Sequence, residues 1–148
     1  MVMHLNTTRF GAVQVRTEDI FHFPQGIIGY AESHRWVLLA DAVNESVGWL
    51  QSTTNPSLAM PVISPRRFVP EYKVHVIPSQ MAILELRDVD RAFVLNVVAK
   101  QGDALTANLK APLIFNLDRR IGCQVVVSDD YPLQHVLTDS KPQLRKVA

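Results

Sequence analysis

Apolar and polar residues alternate between Leu105 and Val127 in three short runs, and this pattern constrains the fold more than any other feature of the chain. The runs cover residues 105–110, 113–117 and 121–127. Successive side chains of a β-strand point to opposite faces, so each run predicts a strand with one apolar and one polar face. Pro112 separates the first two strands because proline cannot donate a hydrogen bond to a ladder. The predicted polar face carries Thr106, Asn108, Lys110, Asn116 and Gln124.

The second and third runs predict a hairpin whose loop is residues 118–120. In that register the apolar side chains of both strands meet on one side of the sheet. The predicted pairs on this side are Leu117 with Ile121, Phe115 with Cys123, and Leu113 with Val125. The predicted pairs on the other side are Asn116 with Gly122 and Ile114 with Gln124. The loop lacks the glycine that three-residue hairpins favour.

Short apolar runs separated by glycine, proline, asparagine and aspartate dominate the rest of the chain. This pattern is typical of a sheet that closes or folds on itself. It predicts a mostly β fold, a single antiparallel β-barrel-like domain with one or two short helices. The segment Phe93 to Ala99 is nearly all apolar, as expected for a strand covered on both faces. The other predicted strands are Arg9 to Val15, Ile20 to Phe23, Trp36 to Ala40, Val47 to Gln51, Met60 to Ile63 and Glu71 to Val76.

Two segments have the features of short helices. In the first, Ser79 is the predicted N-cap of a helix that follows it. Its apolar residues fit both a helix and a strand: Ala82, Ile83 and Leu86 recur at helical spacing, whereas Ala82, Leu84 and Leu86 alternate. The second helix is predicted over Tyr131 to Leu137, because the carboxylates of Asp129 and Asp130 favour its N-terminus and Pro132 suits a first turn.

The chain has 148 residues, which fits one domain with a single core. We predict that this domain covers residues 1–139 and that residues 140–148 form a basic, mobile tail. A formal net charge of +1 indicates no strong general attraction to nucleic acid or membrane. The single cysteine fits a reducing compartment. Because there is neither a leader-like N-terminus nor a run of about 18 apolar residues, we expect a cytoplasmic protein.

No group of residues has the spacing of a catalytic or metal site. Cys123 falls on an apolar face and is predicted to be a small core residue, because a reactive thiolate requires a cationic or helix N-terminal environment. The acidic pairs at residues 18–19 and 129–130 suit turns and caps, and Gly26 and Gly29 suit a turn. The histidines lack HExxH spacing and are His4, His22, His34, His75 and His135. We therefore predict no enzymatic activity, no cofactor and no metal.

The polar face between residues 105 and 127 is the best candidate for a binding surface, with ordinary solvated surface as the alternative. A different alternative is a single-stranded RNA-binding barrel. Its phosphate contacts would come from Arg66, Arg67, Arg119 and Arg120. Aromatic residues make up only 7% of the chain, and most lie in apolar runs, so the stacking platform of such a barrel is not evident.

Five short motifs follow one another in a recognisable order. They are FHFPQGIIGY at Phe21 to Tyr30, LQS at Leu50 to Ser52, PRRFVPEY at Pro65 to Tyr72, TANLKAPLIFN at Thr106 to Asn116 and RIGCQ at Arg120 to Gln124. In this order and spacing the chain resembles the FliW family of flagellar assembly factors. The segment YPLQHVL, Tyr131 to Leu137, is similar to the closing segment of that family. The resemblance extends from about Arg9 to Leu137.

The resemblance implies a non-enzymatic regulator built on a single, mostly antiparallel β-barrel. Members of this family bind flagellin monomers in the cytoplasm and also bind the translational repressor CsrA, which they hold away from flagellin messenger RNA. We therefore expect flagellin and CsrA as partners, with no direct contact to nucleic acid or membrane. The predicted partner-binding residues are Tyr72, Thr106, Asn108, Lys110, Asn116, Arg120 and Gln124.

Overall fold

In the computed structural model, which describes residues 1–87 and 90–137, β-strands dominate the chain. The tail predicted at residues 140–148 lies outside the described residues. The strands are β1 (Val2–Thr7), β2 (Gly11–Arg16), β3 (Ile20–His22), β4 (Arg35–Ala40), β5 (Val47–Ser52), β6 (Ala59–Ile63), β7 (Ala92–Gln101), β8 (Ala104–Ala107), β9 (Leu113–Asn116), β10 (Ile121–Gln124) and β11 (His135–Val136). A short helix, α1 (Pro78–Met81), continues into a 3-10 turn at Ala82–Leu84.

Seven of these strands close a barrel. Their hydrogen-bonded order is β7, β6, β5, β4, β3, β10 and β9, and β9 pairs back with β7. Neighbouring strands are antiparallel except β3 and β10, where His22 and Ile121 form a parallel pair. The predicted mostly β, barrel-like fold is therefore confirmed, with one parallel seam that the sequence pattern did not indicate.

Large side chains fill the barrel interior. Trp36, Leu50 and Phe115 are fully buried there. The rings of Phe21 and Phe115 meet edge to face with 4.9 Å between centroids, the arrangement that aromatic quadrupoles favour. Burial of each such side chain stabilises the fold by about 1.5–3 kcal/mol. This aromatic contact packs β3 against the β9–β10 hairpin.

Four strands lie outside the barrel. The β1–β2 hairpin packs Leu5 and Val15 against Val37 of β4. β8 pairs with the end of β7, and β11 pairs with β8. β1 was not among the predicted strands because the alternation of Met3 and Leu5 with polar neighbours is short and lies at the chain start.

The strand predicted over residues 71–76 is wrong: Glu71 lies in a turn, and the segment has no ladder partner among the described residues. The alternation itself is present: Tyr72, Val74 and Val76 are half-buried, whereas the residues between them are exposed. Val74 and Val76 pack on an outer apolar cluster around Ile114. The segment therefore covers the barrel with side chains without joining the sheet.

The first predicted helix exists, but its cap is different. Ile77, not Ser79, occupies the N-cap position, and Pro78 begins α1. Proline suits this first position because its missing N–H would have no intrahelical partner. The side chain of Gln80 reaches back, and its Oε1 accepts the N–H of Ile77 at 3.1 Å.

The second predicted helix, Tyr131 to Leu137, is wrong. The segment contains no helix: residues 133–134 form a bend and His135–Val136 form β11. Pro132 O accepts the N–H of Leu109, and the N–H of Leu137 donates to Leu105 O. Pairing with the neighbouring part of the chain satisfies the backbone groups that a helix would have satisfied internally, so tertiary pairing outweighs the local cap signals.

The predicted register of the β9–β10 hairpin is wrong by one residue. Phe115 pairs with Gly122 and Asn116 with Ile121, so the loop has four residues, 117–120. A Cβ on Gly122 would lie 2.4 Å from two ring atoms of Phe23, so only glycine fits opposite Phe115. A one-residue slip exchanges the faces of a strand. Cys123 consequently turns away from the barrel interior and packs in the outer cluster.

Candidate partner-binding surface

Residues 108–112 connect β8 to β9, and we call them the crossing segment. Side chains from other parts of the chain hold it in place. Asn96 Nδ2 donates to the carbonyl oxygen of Asn108 at 2.9 Å. The hydroxyl of Tyr72 donates to the carbonyl oxygen of Leu109 at 2.6 Å. The first half of the crossing segment is thus fixed by a residue of β7 and by the segment that follows β6.

Gln124 fixes the second half of the crossing segment. Its Nε2 donates to the carbonyl oxygen of Ala111 at 2.9 Å, and its Oε1 accepts the N–H of Ile28 at 2.7 Å. Within the crossing segment, Asn108 Oδ1 accepts the N–H of Ala111 at 2.9 Å. Gln124 therefore joins the crossing segment to the glycine-containing turn around Ile28, using both ends of its amide.

Asn116 is fully buried at the end of β9, and its amide is bonded internally. Its Nδ2 donates to the carbonyl oxygen of Leu84 at 2.9 Å and to Asp90 Oδ2 at 3.2 Å. Its Oδ1 accepts the N–H groups of Asp118 and Arg119. Asn116 therefore attaches the 3-10 turn to the barrel and shapes the hairpin loop, and it offers no free polar atom to a partner.

The other predicted contact residues on this side of the molecule also have internal partners. Thr106 is 1% exposed, and its hydroxyl donates to a carbonyl of β7 at 3.3 Å. Lys110 Nζ donates to the carbonyl oxygen of Asp129 at 2.8 Å. Arg120 adopts a left-handed φ of 56°, and its guanidinium carbon lies 4.8 Å from the centroid of the Phe21 ring, a cation–π contact.

The polar face predicted from alternation is therefore not an exposed surface. Its members are either buried, as Thr106 and Asn116 are, or half-buried and internally bonded, as Asn108, Lys110 and Gln124 are. The reason is that the β9–β10 hairpin is covered on both faces, since Ile114 and Cys123 pack outside the barrel against Leu84. Partner contact through Tyr72, Arg120 and the half-buried residues stays a prediction.

Among the ionisable groups around this surface, Asp90, Tyr72 and Cys123 have shifted pKa values. Hydrogen bonding from the Arg87 guanidinium lowers the pKa of Asp90 to about 2, which keeps the carboxylate charged at neutral pH. Burial raises the pKa of Tyr72, whose hydroxyl stays protonated as a donor. Burial raises the pKa of Cys123 to about 11, so its thiol is not ionised at neutral pH. The prediction of Cys123 as a buried core residue is confirmed.

Beside Gln124 lies a set of exposed apolar side chains, Ile28, Ile77 and Val126, which we call the apolar patch. Their exposed fractions are 65%, 61% and 52%. Gln124 binds the backbone of Ile28, and the alternating burial of residues 124–127 places Val126 on the same side of the chain as Gln124. Gln80 Nε2 donates to the carbonyl of Val126 at 3.3 Å, while its Oε1 accepts from Ile77. Two glutamines thus connect the three apolar residues.

The apolar patch was missed in the sequence, although a signal for it exists. Three consecutive valines at residues 125–127 cannot all face the core of an extended segment, so the middle one points away. Similarly, Ile27 and Ile28 lie between two glycines that both have positive φ, at Gly26 and Gly29. Ile27 is buried and Ile28 is exposed, so the side chains of these two neighbouring residues point in different directions.

The arginines considered for RNA contact differ in their surroundings. Arg67 donates to a serine hydroxyl at 2.6 Å, and Arg119 pairs with Glu85 at 2.7 Å. Arg120 covers the Phe21 ring, as described above. Arg66 is exposed and makes no hydrogen bond or ion pair with any residue that the structure describes. Most of this predicted phosphate-binding set is therefore engaged within the chain.

In residues 1–87 and 90–137 no three histidine, cysteine or acidic side chains are grouped so that they could hold a metal ion. No helix there is long and apolar enough to cross a bilayer.

The fold is shared with a solved protein structure, the crystal structure of the flagellar assembly factor FliW. The two structures superimpose with a TM-score of 0.86 at 28% sequence identity, and the match covers 94% of this chain and 99% of that chain. The barrel and its covering segments therefore define a flagellar assembly factor of the β-barrel type.

Sequence comparisons agree with the structural one. The family model described as FliW protein matches residues 4–137. The chain is 38% identical over 130 residues to the flagellar assembly factor FliW of Bdellovibrio bacteriovorus, covering 86% of this chain and 74% of that protein. It is 35% identical over 141 residues to the FliW of Caldanaerobacter subterraneus, covering 93% and 94%. The chain belongs to the FliW family, which confirms the resemblance drawn from the five motifs.

Proposed function

We propose that this protein is a non-enzymatic, cytoplasmic regulator of flagellar assembly that acts by binding other proteins. Its partners are flagellin and the translational repressor CsrA. Membership of the FliW family supports the flagellar role, since the similar proteins carry the name flagellar assembly factor.

The observation that carries this proposal is the apolar patch. Three large apolar side chains, Ile28, Ile77 and Val126, are each more than half exposed. Hydrogen bonds of Gln80 and Gln124 tie the backbones of these segments together, and a group of exposed apolar side chains is typical of protein-binding sites. Gln80 donates to the carbonyl of Val126 and Gln124 accepts the N–H of Ile28, so the backbone beneath the apolar patch is fixed and binding would not require ordering of a loop.

Regulation follows if the two partners exclude each other. Free protein then holds CsrA away from flagellin messenger RNA, and accumulating flagellin captures the protein and releases the repressor. Thermodynamic linkage requires that each partner lower the apparent affinity of the other by the same factor. A preformed complex with CsrA should accordingly lose CsrA as flagellin is added, which size-exclusion chromatography can measure.

Titration calorimetry of the purified chain with soluble cognate flagellin tests the proposal. We expect a saturable complex at concentrations of about 50 µM or below, typical for a modest interface. Val126→Ser should weaken it by about tenfold, since removal of a central apolar contact costs about 1–2 kcal/mol. Val43→Ser is the matched control, because Val43 is also highly exposed and lies outside the apolar patch.

If the wild-type chain gives no heat with folded, monomeric flagellin, the proposal that flagellin is a partner is wrong. If instead both valine variants bind as tightly as the wild type, flagellin binds elsewhere and the apolar patch is not its site. Equal melting temperatures for the two variants, recorded alongside, show that any difference in affinity comes from the surface rather than from unfolding.

A further inference from the structure

β7 has one edge that is only partly paired. Its first half, Ala92 to Leu95, pairs with β9, and its second half, Val98 to Gln101, pairs with β8. On the other edge, β6 pairs with β7 at two positions only, Asn96 and Val97. The first half of β7 therefore has a neighbouring strand on one edge and none on the other among the described residues.

Two backbone hydrogen bonds establish which peptide groups of β7 face the open edge. The N–H of Leu117 donates to Arg91 O at 2.8 Å, and the N–H of Asn108 donates to Val97 O at 2.9 Å. Odd-numbered residues of β7 therefore direct their backbone groups to β9 and β8. Since hydrogen-bonding direction alternates along an antiparallel strand, Ala92 and Val94 direct theirs to the opposite edge. No described residue makes a hydrogen bond to them there.

Pro65 explains why β6 does not cover this edge, because the register places Pro65 opposite Val94 and Pro61 opposite Val98. Pro61 and Pro65 lie two residues to either side of Ile63, which pairs with Asn96 of β7. All three share the side of β6 that faces β7, because the bond from Ser52 N–H to Leu58 O directs the even residues to β5. Proline has no N–H to donate. At Pro65 the chain leaves the sheet in a 3-10 turn, so β6 cannot continue along β7.

The space beside the open edge is a groove of about 430 Å³. One wall is the first half of β7, and the other is formed by Ser64, Pro65, Arg66, Tyr72 and Val74. The lining thus combines apolar side chains with the unpaired peptide groups of Ala92 and Val94. Arg66 contributes a guanidinium that has no partner among the described residues.

We infer that the open edge of β7 binds an extended peptide segment of a partner protein, which adds a short strand to the barrel. Peptide N–H and C=O groups of Ala92 and Val94 would bond to its backbone, as in other complexes formed by strand addition. An acidic side chain of the segment would pair with Arg66, and apolar side chains would pack on Tyr72 and Val74. This inference does not depend on flagellin or CsrA being the partner.

Selection from a displayed library of random ten-residue peptides against the full chain provides the probe. Selected peptides should share an acidic residue within a stretch of alternating apolar residues. In the free protein, the N–H of Val94 should exchange with solvent at least about 100-fold faster than those of Phe93 and Leu95, which face β9. Addition of a selected peptide should slow the exchange of Val94 and Ala92 and leave Phe93 unchanged.

Two pairs of variants separate backbone pairing from general surface binding. Val94→Pro removes the outward N–H, whereas Val94→Ala keeps it, so only the proline variant should lose about tenfold or more in peptide affinity. Arg66→Glu should lose a similar factor, and Lys100→Glu, an exposed charge change at the far end of β7, should not. If Val94→Pro does not fold, the exchange measurement on the wild type decides.

Several outcomes would overturn the inference. The library yields no binder of the wild-type chain, or the selected peptides leave the exchange of Ala92 and Val94 unchanged. Equal peptide affinity of the Val94→Pro and Val94→Ala variants would also contradict the inference. None of these results bears on the calorimetric titration with flagellin, so the two proposals fail separately.

Discussion

Two buried asparagines mark two differently built parts of the barrel. Asn116, in the β9–β10 hairpin, has both amide atoms bonded: Nδ2 donates twice and Oδ1 accepts twice. Asn96, where β7 meets β6, donates through Nδ2 to Asn108 and Tyr72, while its Oδ1 accepts no hydrogen bond from the described residues. Both side chains are fully buried. The buried amide of the hairpin is thus more completely hydrogen-bonded than the buried amide at the β6–β7 contact.

The difference extends to the backbone and to packing. The hairpin pairs four residues of β9 with four of β10, and apolar clusters cover both of its faces. The β6–β7 seam has two residue pairs between two prolines and a groove beside it. Stability is not uniform across a fold, and regions with few paired backbone groups open first. The hairpin therefore serves as the rigid support, and the seam is the region free to take a partner.

The largest expected effect separates the two asparagines. Asn116→Ala should lower the free energy of unfolding by about 4 kcal/mol, because it leaves several buried partner groups without hydrogen bonds. Asn96→Ala should lower the free energy of unfolding by about half as much, because it also removes the buried Oδ1 that has no hydrogen-bond donor among the described residues. Urea denaturation of both variants measures the difference. Equal losses would contradict the view that the hairpin is better satisfied than the seam.

A second comparison uses two glycines that lack positive φ. At Gly122 a methyl group would meet the Phe23 ring at 2.4 Å, whereas at Gly48 the nearest atom, Leu38 Cδ1, lies at 3.4 Å. Gly122→Ala should therefore destabilise the protein by about 3 kcal/mol through overpacking. Gly48→Ala should stay within about 0.5 kcal/mol of the wild type. Thermal unfolding monitored by circular dichroism measures both effects. If Gly122→Ala is as stable as the wild type, the Phe23 ring moves to make room for the added methyl group.

A third test concerns the crossing segment between the two regions. Residues exposed on a polar face would tolerate truncation, but Asn108 and Gln124 are internally bonded. The double variant Asn108→Ala with Gln124→Ala should lose about 2 kcal/mol of stability, less than Asn116→Ala because both sites are half-buried and water replaces part of the bonding. The matched control is Asn6→Ala, on an exposed position of β1. A double variant as stable as the control would support the original prediction that these two residues lie on an exposed polar face.

The smallest expected effect is a dependence of stability on pH. The pKa of Asp90 falls from its ordinary 3.8 to about 2 in the folded protein. A depressed folded pKa adds stability above the unfolded value, and that stability disappears as pH falls from about 4 towards 2. Asp90→Asn should flatten the acid limb of the stability profile, which urea denaturation at a series of pH values measures for the variant and the wild type. Superimposable acid limbs for the wild type and Asp90→Asn would show that the pairing with Arg87 adds nothing.

The fold class was predictable from the sequence because strand alternation and turn residues are local signals. Most barrel strands were found within one or two residues of their observed bounds, as in β4, β5 and β6. The hairpin register was not predictable in the same way. It depends on the contact of Phe23 with Gly122, two residues far apart in sequence, and on Arg120 adopting a left-handed conformation that is uncommon for arginine.

The candidate surface was harder to predict than the fold. Alternation separates two faces of a strand, but it does not say which face another segment covers, and here residues 74–86 cover the outer one. Family motifs identified Tyr72, Asn108 and Gln124 as important positions without showing that they bond inside the chain. Exposed apolar residues such as Val126 have no sequence motif, and only the local alternation of the valines indicates them.

The short open edge beside Pro65 also limits how far any added strand can extend. On the Pro65 side of the Ile63–Asn96 pair, the backbone groups of Ala92 and Val94 point to the open edge, and this stretch is too short for sheets of neighbouring molecules to join. Long unpaired edges template aggregation, whereas a short one ends after a few hydrogen bonds. A short open edge of this kind leaves backbone groups accessible without offering a template for a growing sheet.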